Sequence, residues 1–213
     1  MFRIPVRVHP VFWVAALIAT GGDGLVFSLR AEGLLLAALL MAGIFLVVLV
    51  HELGHAAVAA AFDLGPRIDL HALGGVTHLH RARIPIGQYA AVLAGGPAAG
   101  FLMWAALGWV AASLPSANPM GLIVPVRLGG VSFFWALLNL LPVLPLDAGH
   151  LLAEWAGPRR RRWVRRVGLV AALGAGIWAA VAGVPLITVI CLVLAWQTWA
   201  GERRIPGGVV RCG

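Results

Sequence analysis

Residues 34–55 read LLLAALLMAGIFLVVLVHELGH, an unbroken apolar run that ends in two histidines and a glutamate. A run this apolar is typical of a helix that crosses a membrane, which needs about 20 such residues. His51 and His55 are four positions apart, so on a helix both imidazoles lie on one face and can bind one metal ion. Glu52 is turned away from this pair and can reach a water molecule instead of the metal.

The motif H-E-x-x-H is short, and such a motif can occur by chance on a surface helix. The apolar context argues against chance, because a charged side chain deep in a membrane helix costs about 2.5–3.5 kcal/mol. Structural zinc binding releases on the order of 10–16 kcal/mol in small peptides, which is ample compensation. The sequence therefore predicts a zinc site with His51 and His55 as ligands and Glu52 as general base, as in zinc peptidases.

The composition predicts an integral membrane protein. Of the 213 residues, 61% are hydrophobic and 11% charged, whereas a soluble domain has about 25% charged residues. The mean hydropathy is +0.94. The net charge of +8 comes from arginines that lie between apolar segments, so membrane topology explains it better than nucleic-acid binding. The two cysteines, Cys191 and Cys212, have neither the pattern of a disulfide framework nor zinc-ligand spacing.

The apolar segments predict an all-α polytopic fold with about six transmembrane helices. The first resembles a signal peptide, but a retained span is preferred because no clear small-residue cleavage site follows it. GGDG at 21–24 interrupts this span, and Asp23 is expected near its outer end. The basic stretch 157–166 is predicted to be a loop. The expected spans are residues 10–28, 33–61, 87–113, 122–144, 167–182 and 184–200.

The arginines predict the orientation of these spans. If both termini are cytoplasmic, every arginine except Arg30 and Arg127 lies on the cytoplasmic side, as the positive-inside rule requires. A multi-pass protein of the cell membrane, of prokaryotic type, is therefore expected. The cluster Arg159–Arg166 is expected to anchor to anionic lipid. In this topology HELGH and Asp147 lie at the same depth, at the cytoplasmic ends of the second and fourth spans.

Residues 67–83, RIDLHALGGVTHLHRAR, lie between the second and third spans and change character. Short alternating segments flank Gly74 and Gly75, a pattern that predicts a β-hairpin with the glycines in its turn. The hairpin is expected to be membrane-associated but shielded from lipid, because an open sheet edge cannot face hydrocarbon. Its edge could pair with an extended substrate strand, and a plain connecting loop fits equally well. We expect three nearby histidines to be interfacial polar residues rather than extra ligands: His71, His78 and His80.

The fourth span ends in a proline-rich turn that favours a functional acid. Pro142 and Pro145 end the helix, and irregular backbone at membrane depth is tolerated where it lines a cavity or is buried in protein. Asp147 follows directly and is the predicted third ligand, with His150 and Glu154 as alternatives. Asn139 could donate a hydrogen bond to the oxyanion or the substrate backbone, or form an interhelical hydrogen bond.

These motifs together resemble the site-2 protease family of intramembrane zinc peptidases, over about residues 5–155. They are HELGH, the GG hairpin, AGGP at 94–97 and NLLPVLPLDAGH at 139–150. VHPVFW at 8–13 and the six-span layout are similar to the sporulation branch, which cleaves an inactive sigma-factor precursor. The resemblance implies a zinc metalloendopeptidase that cuts membrane-associated regulators or precursors, with these roles: His51, His55 and Asp147 bind one zinc ion, Glu52 is catalytic, and Asn139 helps to hold the substrate.

Two positions depart from the family pattern. Ala148 stands where the family usually has glycine after the aspartate, which affects the expected placement of the third ligand. Gly100 stands where many members have asparagine, which affects substrate clamping by the third span. A single transmembrane peptidase domain is expected over 1–201, followed by a flexible cytoplasmic tail over 202–213. Within the domain, the catalytic core is expected over about 30–155 and two peripheral helices over about 164–200.

Short loops leave no room for a PDZ-like insertion, so substrate selection is expected to come from the membrane domain or from a separate membrane regulatory subunit. Two other functions remain open. A zinc-binding membrane transporter would also place ionisable residues in the membrane, although the candidates cluster at one depth rather than along a path. A proteolytically inactive scaffold homologue would bind substrates without cutting them, although the complete HELGH and Asp147 set argues against it.

Overall fold

The computed structural model describes residues 4–20, 31–71, 74–80, 84–115, 119–200 and 211–212. The fold is mostly helical, with a small sheet beside the helices. The helices are α1 Pro10–Ala19, α2 Ala31–Ala61, α3 Ile86–Ser113, α4 Pro119–Asn139, α5 Asp147–Ala156, α6 Arg161–Val181 and α7 Pro185–Ala200, and a 3-10 turn, Pro158–Arg160, precedes α6. The strands are β1 Val6–Val8, β2 Arg67–His71, β3 Gly74–His78 and β4 Arg211–Cys212.

The described part of the chain contains four helices that are long and apolar enough to cross a membrane. Large apolar side chains on these helices point outward, among them Leu102, Trp109 and Val170, as lipid-facing residues do. The prediction of a helical multi-pass membrane protein is confirmed. The end of the predicted first span, with Asp23, lies outside the described residues, as does Arg30. The four long helices are Ala31–Ala61, Ile86–Ser113, Gly121–Asn139 and Pro158–Val181, and shorter apolar helices cover Pro10–Ala19 and Ile187–Ala200.

Glycines set the contact between α2 and α3. A β-carbon on Gly54 would lie 2.2 Å from the carbonyl oxygen of Gly95, and one on Gly95 would lie 2.5 Å from that of Gly54. The two backbones therefore touch, as small residues permit between membrane helices. Gly54 belongs to HELGH and Gly95 to AGGP, so this contact brings the two motifs together.

The contact between α3 and α4 explains the departure at position 100. A β-carbon on Gly100 would lie 2.9 Å from the β-carbon of Ala136. The hydroxyl of Ser132 on α4 donates a 2.8 Å hydrogen bond to the Gly100 carbonyl. A larger side chain at this position would separate the two helices, so glycine here serves close packing.

The four strands form one sheet in the order β1-β2-β3-β4. β1 is parallel to β2, and β2 and β3 are antiparallel, with His71 opposite Gly74 and Arg67 opposite His78. Both glycines that were predicted to form the turn lie inside β3 instead, because their missing side chains let the strand approach the helices. The connection, residues 72–73, lies outside the described residues.

The end of the chain also contributes to the sheet. Arg211–Cys212 forms β4, which is antiparallel to β3 at His78 and Thr77. The sequence predicts a flexible tail over 202–213. Its residues 202–210 and 213 lie outside the described residues.

The region after α4 differs from its prediction in two ways. The helix ends at Asn139 rather than near residue 144, because Pro142 and Pro145 cannot supply backbone donors. The predicted basic loop over 157–166 is a 3-10 turn that leads into α6 at Arg161. Arginine is a good helix former, and the chain breaks only at Gly157, which has a positive φ of 71°.

Candidate metal centre

The HELGH residues occupy one turn in the second half of α2. His51, Glu52 and His55 are all buried, although the run before them is apolar. The two histidines are covered by α3 at Gly96, and Glu52 is covered by β3 at Gly75. Buried ionisable groups in a membrane helix need partners, and each of the three has one.

Three candidate ligand atoms form a nearly equilateral triangle. The Nε2 atoms of His51 and His55 are 3.2 Å apart. Oδ2 of Asp147 lies 3.3 Å from Nε2 of His51 and 3.2 Å from Nε2 of His55. Points at these separations form one face of a tetrahedron whose centre is about 2.0 Å from each, the bond length that zinc makes to histidine nitrogen and carboxylate oxygen. The predicted ligand set therefore fits zinc in both atom type and spacing.

The contact of His55 with the backbone of α3 favours the tautomer that binds a metal. Its Nδ1 lies 2.8 Å from the carbonyl oxygen of Val92 on α3. A proton on Nδ1 donates to that carbonyl and leaves the lone pair of Nε2 facing the triangle, which is the usual arrangement behind a metal-bound histidine. The carboxylate oxygens of Asp147 have no hydrogen-bond donor among the described residues. A cation bound between the Asp147 carboxylate and the two Nε2 atoms would stabilise these acceptor atoms.

Gly96 lines the triangle from α3. A β-carbon at this position would lie 2.2 Å from Nε2 of His55 and 2.8 Å from Nε2 of His51. Any side chain on residue 96 would thus occupy the space beside both nitrogens. The glycine of AGGP therefore makes room for an ion as well as for helix packing.

Asp147 is held by the turn between α4 and α5. It lies in the first turn of α5 and is buried. The turn folds back closely on this helix, since a β-carbon on Gly149 would lie 2.4 Å from the carbonyl carbon and oxygen of Val143. Thr198 on α7 donates a 2.7 Å hydrogen bond to the Leu144 carbonyl in the same turn. Ala148 does not keep Asp147 away from the histidines, because the close backbone approach occurs at Gly149.

Glu52 faces the sheet. Its Oε2 accepts a 2.7 Å hydrogen bond from the hydroxyl of Thr77 on β3. The HELGH side chains offer ligand atoms within 4.8 Å of one another, but Asp147 lies closer to both imidazoles than that. We therefore take Asp147, rather than Glu52, as the candidate third ligand.

The other predicted site residues have separate positions. Gly74 lies against the Trp135 ring and Gly75 against the Glu52 side chain. Asn139 is buried, and its Nδ2 donates a 2.9 Å hydrogen bond to the Trp135 carbonyl of its own helix. Glu154, a rival third ligand, is exposed, whereas His150 is half-buried.

The remaining histidines of the hairpin region have contacts within the region or just before it. Nε2 of His78 lies 3.0 Å from Oδ2 of Asp69 on the neighbouring strand. His80 contacts the carbonyl of Gly65 through Nδ1. His71 is the last residue of β2, opposite Gly74. The interfacial position of these three histidines stays a prediction.

Sequence reasoning missed three residues that complete the site: Thr77, Val92 and Gly96. AGGP was noted only as a motif shared with the family, and nothing in the sequence singled out a valine whose backbone carbonyl is used. Thr77 had a weak signal, because it is two residues after Gly75 and therefore lies on the same face of the strand.

No protein-family model matches the chain. It is 33% identical over 161 residues to "Putative zinc metalloprotease sll0528" of Synechocystis, a match that covers 71% of this chain and 41% of that protein. It is 32% identical over 155 residues to Stage IV sporulation protein FB of Bacillus subtilis, with 70% and 46% covered. The chain thus spans less than half the length of these two relatives.

The fold is similar to that of the solved Site-2 Protease from Methanocaldococcus jannaschii. The TM-score is 0.64 at 18% identity, and the match covers 97% of this chain and 94% of that one. At this identity the likeness concerns the fold. Together with the sequence matches to a zinc metalloprotease and a sporulation protein, it shows that the chain belongs to the site-2 protease family and is similar to the family's sporulation branch.

Proposed function

We propose that the chain is an intramembrane zinc metalloendopeptidase that hydrolyses peptide bonds of membrane-associated proteins within or near the bilayer. The observation that carries this proposal is the triangle of two imidazole nitrogens and a carboxylate oxygen next to the buried Glu52. The two histidines and Glu52 lie on a helix long enough to cross a membrane. Membership of the site-2 protease family supports the same reaction.

In this proposal His51, His55 and Asp147 hold one zinc ion per chain. Three protein ligands and one open position are what a catalytic zinc site requires. When bound, zinc supplies a Lewis acid that makes water acidic near neutral pH and polarises the scissile carbonyl. Their position four residues apart on α2 keeps the two imidazoles on one face, and the backbone of α3 at Gly96 lies directly against both.

Glu52 acts as general base and then as general acid. Its carboxylate accepts a proton from the water that attacks the carbonyl carbon, and it delivers that proton to the nitrogen of the leaving amine. The position supports this role, because Glu52 is within 4.8 Å of the two histidines and is held from the side by β3. Burial of the side chain keeps competing bulk water away from the reacting bond.

We propose that the substrate binds as an extended strand beside β3. One edge of β3 pairs with β2, and along the other edge the described residues pair only at Thr77 and His78. Gly74 and Gly75 offer backbone groups there for strand addition, next to Glu52. Asn139 would hold the substrate backbone from α4. Single-span or otherwise membrane-associated regulators and precursors are the expected substrates.

The proposed topology has six membrane spans, namely the four long helices together with α1 and α7. Both termini are cytoplasmic. The hairpin would be membrane-associated between the second and third spans. The arginine distribution supports this orientation in the cell membrane. The domain would comprise residues 1–201, with its core over about 30–155, peripheral helices over about 164–200 and a cytoplasmic tail over 202–213.

The surface around the start of α6 suggests a lipid contact. Arg159–Arg162 are exposed, and two exposed tryptophans, Trp155 and Trp163, lie beside them in the sequence. Arginine with tryptophan is typical of the membrane interface. We propose that Arg159–Arg166 bind anionic lipid rather than nucleic acid, and that a separate membrane subunit regulates cleavage.

The test measures zinc per chain and cleavage of a single-span reporter on the same purified samples. Wild type should contain one zinc and cut the reporter. His55→Ala should lose both properties, and Asp147→Asn should have less zinc, although an amide oxygen can still coordinate. Glu52→Gln should keep its zinc but lose cleavage, because an amide cannot accept the proton.

Three results would reject the peptidase. Cleavage that is unchanged in Glu52→Gln would remove the general base from the mechanism. Zinc flux into proteoliposomes that persists in Glu52→Gln would indicate a transporter. Zinc binding without cleavage in wild type would indicate a scaffold homologue.

A further inference from the structure

Thr77 makes a buried contact with the candidate general base. Its Oγ1 lies 2.7 Å from Oε2 of Glu52 and 3.4 Å from the backbone carbonyl oxygen of the same residue. Thr77 is fully buried, and Glu52 is almost fully buried. A buried carboxylate requires hydrogen-bond donors, and this hydroxyl is one that the chain provides.

The strand β3 confines the Glu52 side chain from two positions. A β-carbon on Gly75 would lie 2.3 Å from Cγ and 2.6 Å from Oε1 of Glu52, so the bare backbone at Gly75 touches the side chain directly. Thr77 is two residues later on the same face of the strand and holds Oε2. Steric contact at one residue and a hydrogen bond at the other therefore fix the carboxylate in one orientation.

The direction of the hydroxyl is itself fixed. Threonine is branched at its β-carbon and has a restricted χ1. Thr77 lies within the ladder of β2 and β3, opposite the fully buried Ile68. The sheet, and not the helix that carries HELGH, thus determines where Oε2 is held.

We propose that Thr77 is a positioning residue for Glu52: its hydroxyl holds Oε2 so that Oε1 exchanges the proton with water and with the leaving amine. This inference rests on the proposed peptidase function. It also links substrate binding to the chemistry, because the strand that would receive the substrate is the strand that orients the base. A restricted orientation of the base raises the rate by reducing the search for a reactive geometry.

The test compares Thr77→Val, which removes the hydroxyl at nearly constant shape, with Thr77→Ser, which keeps it. Thr188→Val is the matched control, because Thr188 is on α7 and donates to the carbonyl of Val184, the residue just before that helix. For each variant kcat and KM are measured on a single-span reporter, together with zinc per chain and the thermal midpoint. Thr77→Val should lower kcat by about 10–100-fold, because a small misplacement of a reacting group costs a rate factor of this order.

KM, zinc content and thermal midpoint should change little in Thr77→Val, whereas Thr77→Ser should recover most of kcat. Wild-type kcat in Thr77→Val would overturn the proposal. An equal loss of kcat in Thr77→Ser would also overturn it, because the loss would then come from packing and not from the hydroxyl. A loss of kcat that follows the zinc content would overturn it too, because the loss would then come from the metal site. Failure of the proposed peptidase function is recognised separately, because wild type and Glu52→Gln would then not differ in cleavage of the reporter.

Discussion

Gly96 of α3 and His55 of α2 are so close that no side chain fits between them: a β-carbon on Gly96 would lie 2.2 Å from Nε2 of His55. The same imidazole is held by the Val92 carbonyl, one turn earlier on α3. One helix therefore positions the histidine through its backbone and leaves room beside the ligand nitrogen. The AGGP segment is thereby part of the candidate metal centre.

Gly96→Ala is expected to abolish zinc binding while the protein still inserts and folds. The added methyl group would enter the space beside Nε2 of both histidines, so the imidazoles would have to move apart. Zinc per chain in purified protein measures the effect. Gly108→Ala is the matched control on the same helix, because a β-carbon there meets nothing within 4 Å. A full complement of zinc in Gly96→Ala would show that the ion does not occupy this space.

Gly75→Ala is expected to separate zinc binding from catalysis. A β-carbon at residue 75 would collide with Cγ and Oε1 of Glu52, so the carboxylate would turn away while both histidines stay in place. Zinc content should remain at the wild-type level, and kcat on the reporter should fall at least as far as in Thr77→Val. Gly130→Ala, which meets nothing within 4 Å, should leave both quantities unchanged. Loss of zinc in Gly75→Ala would mean that the hairpin supports the ligands rather than the base.

Gly149→Ala is expected to weaken zinc binding, whereas Ala148→Gly at the neighbouring position is not. A β-carbon on Gly149 would meet the Val143 backbone at 2.4 Å, so the turn must shift and move Asp147. Zinc affinity should fall by about 10-fold or more. Ala148 has no positive φ, so Ala148→Gly should leave zinc affinity unchanged and cost only about 0.5–1 kcal/mol of helix stability. Competition with a zinc chelator measures both affinities. Tighter zinc binding in Ala148→Gly would show that the glycine usual in the family at this position helps to place the third ligand.

The sequence predicted the fold and the candidate site correctly where a residue pattern has one common structural role. An apolar run that ends in HELGH specifies a membrane helix with two histidines on one face, and α2 has this form. Pro142 and Pro145 predicted that the fourth span ends and that Asp147 follows the break, and Asp147 begins α5. These predictions needed only local rules on periodicity and missing backbone donors.

The sequence was less informative where the role of a residue depends on what packs against it. Gly74 and Gly75 were predicted to form the turn, because glycine is common in turns. Their place in β3 follows from contacts with Trp135 and Glu52, which are distant along the chain. The bond between Thr77 and Glu52 has the same origin, since no local pattern indicates which helix residue a strand hydroxyl will meet.

Removal of zinc is expected to lower the thermal midpoint of the wild-type protein. The three candidate ligands are buried, and without a cation they bring unpaired acceptors together, which is unfavourable in a site of low polarity. Zinc added back should raise the midpoint in proportion to the logarithm of its free concentration, because a ligand that binds only the folded state stabilises it by mass action. His55→Ala should have a lower midpoint that does not respond to zinc, whereas Glu52→Gln should respond as wild type does. An equal response to zinc in His55→Ala would place the stabilising ion elsewhere in the protein and would remove His55 from the ligand set.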